Sequence, residues 1–137
     1  MPEVSVIIPS YNHAAFIGET IESILNQSYT DLELVIVDDA STDRSRDIIQ
    51  KYLRQDRRIR FYEHKQNCGF SKTRNDAMHL ASGKYISSCA SDDVYCEDKL
   101  EKQLAVIKQP ENENKVIIIL HLALNSVLLR VSQEHPG

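Results

Sequence analysis

Residues 4–8 read Val-Ser-Val-Ile-Ile, a short β-branched run closed by Pro9, which predicts a buried strand. Phe16, Ile17, Thr20, Ile21, Ile24 and Leu25 then recur at helical spacing, so an amphipathic helix ending near Asn26 is expected. Residues 32–37 are almost continuously apolar and read as a second strand. Ser41 is the expected N-cap of the next helix, with Asp43 in its first turn and Ile48, Ile49, Tyr52 and Leu53 on its buried face. A shorter third strand is expected at 59–62. The polar loop 65–70, which contains Gly69, leads to a helix over 71–81 with Gly83 at its C′ position. Residues 85–89 read as a fourth strand. A helix over 97–109 carries Leu100, Leu104 and Ile107 on one stripe and is stopped by Pro110, and a fifth strand is expected at 116–120.

Strands alternating with helices of this length imply an α/β domain: a mostly parallel sheet with helices on both faces. In such sheets ligands bind in the crevice outside the carboxyl ends of the strands. Functional residues are therefore expected just after Ile8, Val37, Tyr62 and Cys89.

The first of these places holds Pro9-Ser10-Tyr11-Asn12, a turn that can set an aromatic ring and backbone amides against a base. The second holds Asp38-Asp39 and the fourth Asp92-Asp93. Adjacent carboxylates repel, so each needs a donor, a metal or solvent. A helix N-terminus and solvent would be enough for one such pair. Two pairs at strand ends suit a hard cation, Mg²⁺ or Mn²⁺, bridged to a diphosphate, with the other pair free to meet a base or ribose. Between them, Lys72 and Arg74 stand near a helix start where phosphate could be met, and Arg74 is the better aimed.

The 137 residues suffice for one domain with a real core. Residues 1–110 are expected to form a nucleotide-binding unit, and 111–137 a fifth strand and an atypical apolar tail that is a candidate interface for a second copy. A net charge of -4 excludes the basic stripe of a nucleic-acid binder. Cys68, Cys89 and Cys96 form no CxxC pair, so neither a disulfide framework nor a zinc knuckle is expected, and a reducing compartment is. The N-terminus lacks the pattern of a signal peptide, and the apolar stretch 116–131 is broken by His121, Asn125, Ser126 and Arg130. It falls short of the ~18 uninterrupted apolar residues of a membrane span, so a cytoplasmic location is expected. The five histidines, His13 and His64 among them, are scattered and read as neither ligands nor catalytic groups.

Three segments carry a resemblance: VSVIIPSYNHAAFIGETIESILNQSY, DLELVIVDDASTDRS and NCGFSKTRNDAMHLASGKYISSCASDDVYCEDKLEKQL. In this order and spacing, from about residue 4 to 108, they resemble the family 2 glycosyltransferases of the GT-A fold. The resemblance implies a Rossmann-like nucleotide-binding half, a nucleotide-diphosphate-sugar donor such as a UDP-sugar, a divalent metal (Mn²⁺ or Mg²⁺), and work in cell-wall or polysaccharide biosynthesis. Pro9 and Tyr11 would line the nucleoside pocket, with Asn12 in the same turn. Asp39 would hydrogen-bond the base and Arg74 would sit near the diphosphate. Asp92 and Asp93 would fill the place of the acidic DxD-type motif, contacting ribose and metal. Transfer to an acceptor hydroxyl would be inverting, with a carboxylate base. Many members have an acid where this chain has Ala90. The base and the acceptor pocket come from a downstream segment, so the chain is expected to lack them and no catalytic residue is assigned.

Competing readings are a receiver-like signalling domain, suggested by VIVDDAS, and a nucleotide-binding remnant that transfers nothing. A dinucleotide-binding domain is disfavoured because PSYNHA has no glycine-rich turn.

Overall fold

A computed structural model describes residues 1–110, together with the backbone of residues 119–120 and 127–130. The elements in chain order are β1 (Val4–Ser10), α1 (Ile17–Leu25), β2 (Leu32–Asp38), α2 (Ser45–Leu53), β3 (Ile59–Glu63), α3 (Phe70–Leu80), β4 (Tyr85–Ser88), α4 (Lys99–Ile107), β5 (Ile119–Leu120) and β6 (Val127–Arg130). They form one sheet in the order β3-β2-β1-β4-β6-β5. The strands β1 to β4 are mutually parallel, and β6 joins β4 antiparallel with β5 outside it. The expected mostly parallel α/β sheet is what forms.

Burial explains why β1 and β2 are apolar at nearly every position: all seven residues of each are buried. Successive side chains of a strand alternate between faces. Val4, Val6, Ile8, Leu34 and Ile36 point to one face and pack with Ile17, Ile21 and Ile24 of α1, Ile49 of α2, and Leu100, Leu104 and Ile107 of α4. Ile7, Val35 and Val37 point to the other and meet Ile86 and Ala77 of α3. Each fully buried aliphatic side chain contributes about 1.5–3 kcal/mol of transfer free energy, and this two-sided core holds the strand ends in register. Glu33, the acid near the start of β2, is matched by donors: Ser5 Oγ at 2.6 Å, Ser82 N at 2.7 Å and Oγ at 2.8 Å, and Arg60 Nη1 at 3.1 Å.

Several boundaries differ from expectation for identifiable reasons. The first strand continues through Pro9, which pairs with Val37 in the β1–β2 ladder. Ser10 O accepts from Asp39 on the β2 side and Ile7 O from Cys89 on the β4 side. Alternation therefore turns Pro9 toward β4, whose pairing stops at Ser88 opposite Ile7, so its missing N–H costs no ladder bond. Helix α2 begins at Ser45, because Ser41 is committed to Asp38 through Ser41 N (2.8 Å) and Oγ (2.6 Å). Asp43 instead accepts from Ser45 N at 2.9 Å, and Leu53 is 37% exposed rather than part of the buried face. Helix α3 closes on Ala81 in extended conformation, so Gly83 is no C′ residue. It is needed for close approach: a Cβ there would lie 2.7 Å from Ser5 N. Helix α4 starts at Lys99, two residues later than expected.

Of the expected fifth strand, positions 119 and 120 are β5 and 116–118 lie outside the described residues. The tail proposed as an interface also lies outside them, apart from β5 and β6. The pairing of β6 with β4 was not foreseen. Among the described residues, no helix is long and apolar enough to cross a membrane.

Candidate functional site

A cleft of about 500 Å³ opens where β1, β2 and β4 end. Its walls come from four segments of the chain. Pro9 and Ser10 end β1, and Tyr11 and His13 follow it; Asp39 follows β2 and faces Asn67 and Gly69 before α3 and Phe70 and Thr73 in its first turn. Ala90, Ser91 and Asp92 follow β4. This is the position the parallel sheet reserves for ligands.

Asp39 is the buried centre of the cleft, with 3% of its surface exposed. Oδ1 accepts the N–H of Cys68 at 2.7 Å and lies 2.9 Å from His64 Nδ1, and Oδ2 accepts the N–H of Gly69 at 2.9 Å. Asn67 Nδ2 adds a bond to the backbone O of Asp39 at 3.3 Å. One carboxylate thus shapes the loop 67–69, and Gly69 reaches it from φ 92° and ψ 162°. Burial works against the charge of Asp39, but Cys68, His64 and Gly69 outweigh it and hold its carboxyl below the ordinary aspartate range. A carboxylate offers about four lone-pair sites. Three are filled, and the remaining one is on Oδ2.

The facing loop is fixed differently. The ring of His13 bonds Ser91 Oγ, Thr20 Oγ1 lies 3.2 Å from Ser91 O, and Asp93 N donates to Ala90 O at 3.1 Å. Asp92 itself is exposed and makes no hydrogen bond or ion pair among the described residues. Asp93 is half-buried, and its Oδ1 accepts the N–H of Val94 at 2.8 Å. Ser10, 1% exposed at the floor of the cleft, has no partner for its Oγ among the described residues. Tyr11 and Phe70 stand 45% and 66% exposed at the rim, offering ring faces.

The sequence-nominated residues therefore divide. Pro9, Tyr11, Asp39 and Asp92 line one cleft; Asn12, Arg74 and Asp93 do not. The side chain of Asn12 turns toward the α2 loop, where Oδ1 accepts from Thr42 N at 2.8 Å, and its φ of 49° suits that turn. Arg74 is half-buried on α3, one residue beyond cleft-lining Thr73. From sequence alone, His13 and His64 read as scattered histidines and Phe70 takes no role; the signal available is position, since His13 and His64 stand within a few residues of a strand end and Phe70 opens α3.

Asp92, an exposed carboxylate with free lone pairs in the cleft lining, could hold a divalent cation, with Asp93 beside it. Asp39, His64 and Cys68 also bring ligand atoms within 4.8 Å of one another. There, however, Asp39 and His64 are already bonded to each other, so a cation would first have to break that contact. Burial pushes the Cys89 thiol, aided by Asp93, up to about 12, so it is no nucleophile.

A family model described as glycosyl transferase family 2 matches residues 5–121. A Bacillus subtilis protein named as a teichuronic acid biosynthesis glycosyltransferase, TuaG, is 48% identical over 103 residues, 75% of this chain and 41% of that protein. Among solved structures, the mannosyltransferase PcManGT of Pyrobaculum calidifontis, in complex with GDP-Man and Mn²⁺, superposes with a TM-score of 0.74 at 28% identity, covering 80% of this chain and 33% of that one. Staphylococcus aureus TarS residues 1–349 in complex with UDP-GlcNAc gives a TM-score of 0.72 at 32% identity, covering 77% and 31%. The chain spans less than half the length of each of these relatives.

Proposed function

The chain belongs to glycosyl transferase family 2, and from that membership we propose that its cleft binds the nucleoside diphosphate of a nucleotide-sugar donor together with a divalent cation. The observation that carries this reading is the meeting of Asp39 and Asp92, from the loops after β2 and β4, in one cleft. Its volume of about 500 Å³ falls within the roughly 300–1,000 Å³ of small-molecule sites.

The chemistry of each wall suggests its part. The unfilled acceptor site of Asp39 suits the ring N–H of uracil or guanine, and Tyr11 and Phe70 offer surfaces for the base and ribose. Ser10 Oγ, buried and without a partner among the described residues, would gain one from a polar ligand. Asp92, with Asp93 beside it, would hold Mg²⁺ or Mn²⁺. Bound there, the ion offsets charge that develops on a departing diphosphate. Arg74, next to cleft-lining Thr73, keeps its proposed role at the diphosphate.

Two of the similar structures hold UDP-GlcNAc and GDP-Man, and the second also holds Mn²⁺. Both bases carry the ring N–H that Asp39 could take. The likeness to TuaG, named for teichuronic acid biosynthesis, supports a role in assembling a cell-envelope polysaccharide, and we propose that the donor comes from the cytoplasm. The three free cysteines suit that compartment. Transfer of the sugar to an acceptor hydroxyl is the proposed reaction.

A melting experiment tests the reading. Ligand at about a hundred times its Kd adds about 2.7 kcal/mol to stability, which is a rise of roughly 8–10 °C for a domain of this size. UDP with Mn²⁺ is expected to give such a rise, and Asp39→Ala to reduce it sharply. The absence of any shift with UDP or GDP and either cation would remove the reading.

A further inference from the structure

His64 lies between two carboxylates. Nδ1 is 2.9 Å from Asp39 Oδ1, and Nε2 is 2.7 Å from Asp76 Oδ2 on α3. Ionised carboxylates only accept, so two such contacts require both ring nitrogens to donate, and only the imidazolium can do that. The ring is 15% exposed, and its backbone N–H is bonded to Asp38 O at 2.8 Å, so the side chain is anchored from the strand as well.

We propose that His64 is a positioning residue for the nucleotide site: as the imidazolium, it clamps Asp39 so that its one unfilled acceptor site stays turned to the base. This rests on the reading of the cleft given above. His64 touches no cleft ligand itself; it acts through Asp39.

The groups around the ring favour the charged form. Asp39 comes first, from the loop after β2, and outweighs the burial that opposes charge; Asp76 on α3 adds to it. The pKa of His64 is therefore raised above its ordinary value. From α3, Lys72 lies 3.2 Å from Asp76 and draws part of its charge away, and His79 lines the hollow that His64 and Asp76 share with Tyr62 of β3. The Cys68 thiol stands on the Asp39 side, within 4.8 Å of the nearest ring nitrogen. Deprotonation leaves a ring lone pair facing one of the two carboxylates; in the tautomer that keeps its proton on Nε2, Asp39 loses its donor from the ring and can rotate. Nucleotide affinity is thus full below the raised pKa and falls as the pH rises through it.

The experiment is calorimetric titration of the full chain with UDP and Mg²⁺ from about pH 6 to about pH 9, run in parallel on His64→Gln and Asp76→Asn. The wild-type chain should lose roughly tenfold in affinity across a midpoint above 6.5. Asp76→Asn, an exchange at a partly exposed position, should move that midpoint to lower pH. His64→Gln should bind more weakly at low pH and lose the step. Ring ¹⁵N shifts of His64 in the free protein report the same midpoint without nucleotide. If Asp76→Asn leaves the midpoint unmoved, or His64→Gln keeps the wild-type profile, the proposal is overturned while nucleotide binding stands. If the wild-type chain binds no nucleotide at any pH, the reading of the cleft fails and this proposal with it.

Discussion

Gly69 donates its backbone N–H to Asp39 Oδ2 at 2.9 Å from φ 92° and ψ 162°, a conformation that essentially only glycine adopts. The loop before α3 and the acid after β2 therefore specify each other. The turn brings two successive N–H groups, of Cys68 and Gly69, onto one carboxylate.

Replacing Gly69 should cost backbone energy from its φ of 92° and nothing from crowding, since an added Cβ would meet nothing within 4 Å. Gly69→Ala and Gly69→Ser are expected to lose about the same stability, about 1–3 kcal/mol by chemical denaturation. Both should also weaken UDP binding, since Asp39 loses a donor that orients it.

The open acceptor site on Asp39 predicts a preference among bases. Uracil and guanine present a ring N–H there, whereas cytosine and adenine present a ring nitrogen lone pair. Competition calorimetry should find UDP and GDP binding about tenfold or more tighter than CDP and ADP. Asp39→Ala should weaken UDP and erase most of that preference.

Asp92 predicts the cation dependence. Among the described residues it is committed to nothing, so Asp92→Ala should leave the fold intact, with a melting temperature close to that of the wild type. Its UDP affinity should become nearly indifferent to Mn²⁺ or chelator, unlike that of the wild-type chain. Asp39→Ala should behave in the opposite way and keep the cation effect on whatever binding remains.

Much of this was legible in the chain itself. The apolar runs of β1 and β2 follow from burial on both faces; the rule that ligands gather at strand ends pointed to the turn 9–12 and to the pairs Asp38-Asp39 and Asp92-Asp93, and the family resemblance selected Asp39 from its pair. What escaped was set by partners distant in sequence. Ser41 looks like a helix cap until Asp38 claims both its N–H and its hydroxyl. Pro9 looks like a strand end until the neighbouring strand is seen to stop first. His64 looks isolated because Asp39 and Asp76, which give it a role, lie 25 and 12 residues away. Asn12 carries the right residue type in the right turn, yet its side chain serves the α2 loop.

At the opposite end of the sheet, Glu33 predicts acid sensitivity. Burial opposes its charge, but Ser5, Ser82 and Arg60 overcome this and hold its pKa below the ordinary 4.5. A depressed folded-state pKa means that its contribution is present above the unfolded value and is lost as the pH falls through the folded one. Glu33→Ala should cost about 2–3 kcal/mol at neutral pH. Its stability should then fall less than that of the wild type when the pH is lowered below about 4.5.

The central claim is that nucleotide enters between Asp39 and Asp92, and amide chemical-shift mapping tests it most directly. Titration of the ¹⁵N-labelled chain with UDP and Mg²⁺ should move the amides of Tyr11, Cys68, Gly69 and Asp92 together, with a single Kd, and leave those of α2 and the Glu33 network in place. Shifts confined to other surfaces, or none at saturating UDP, would contradict the account.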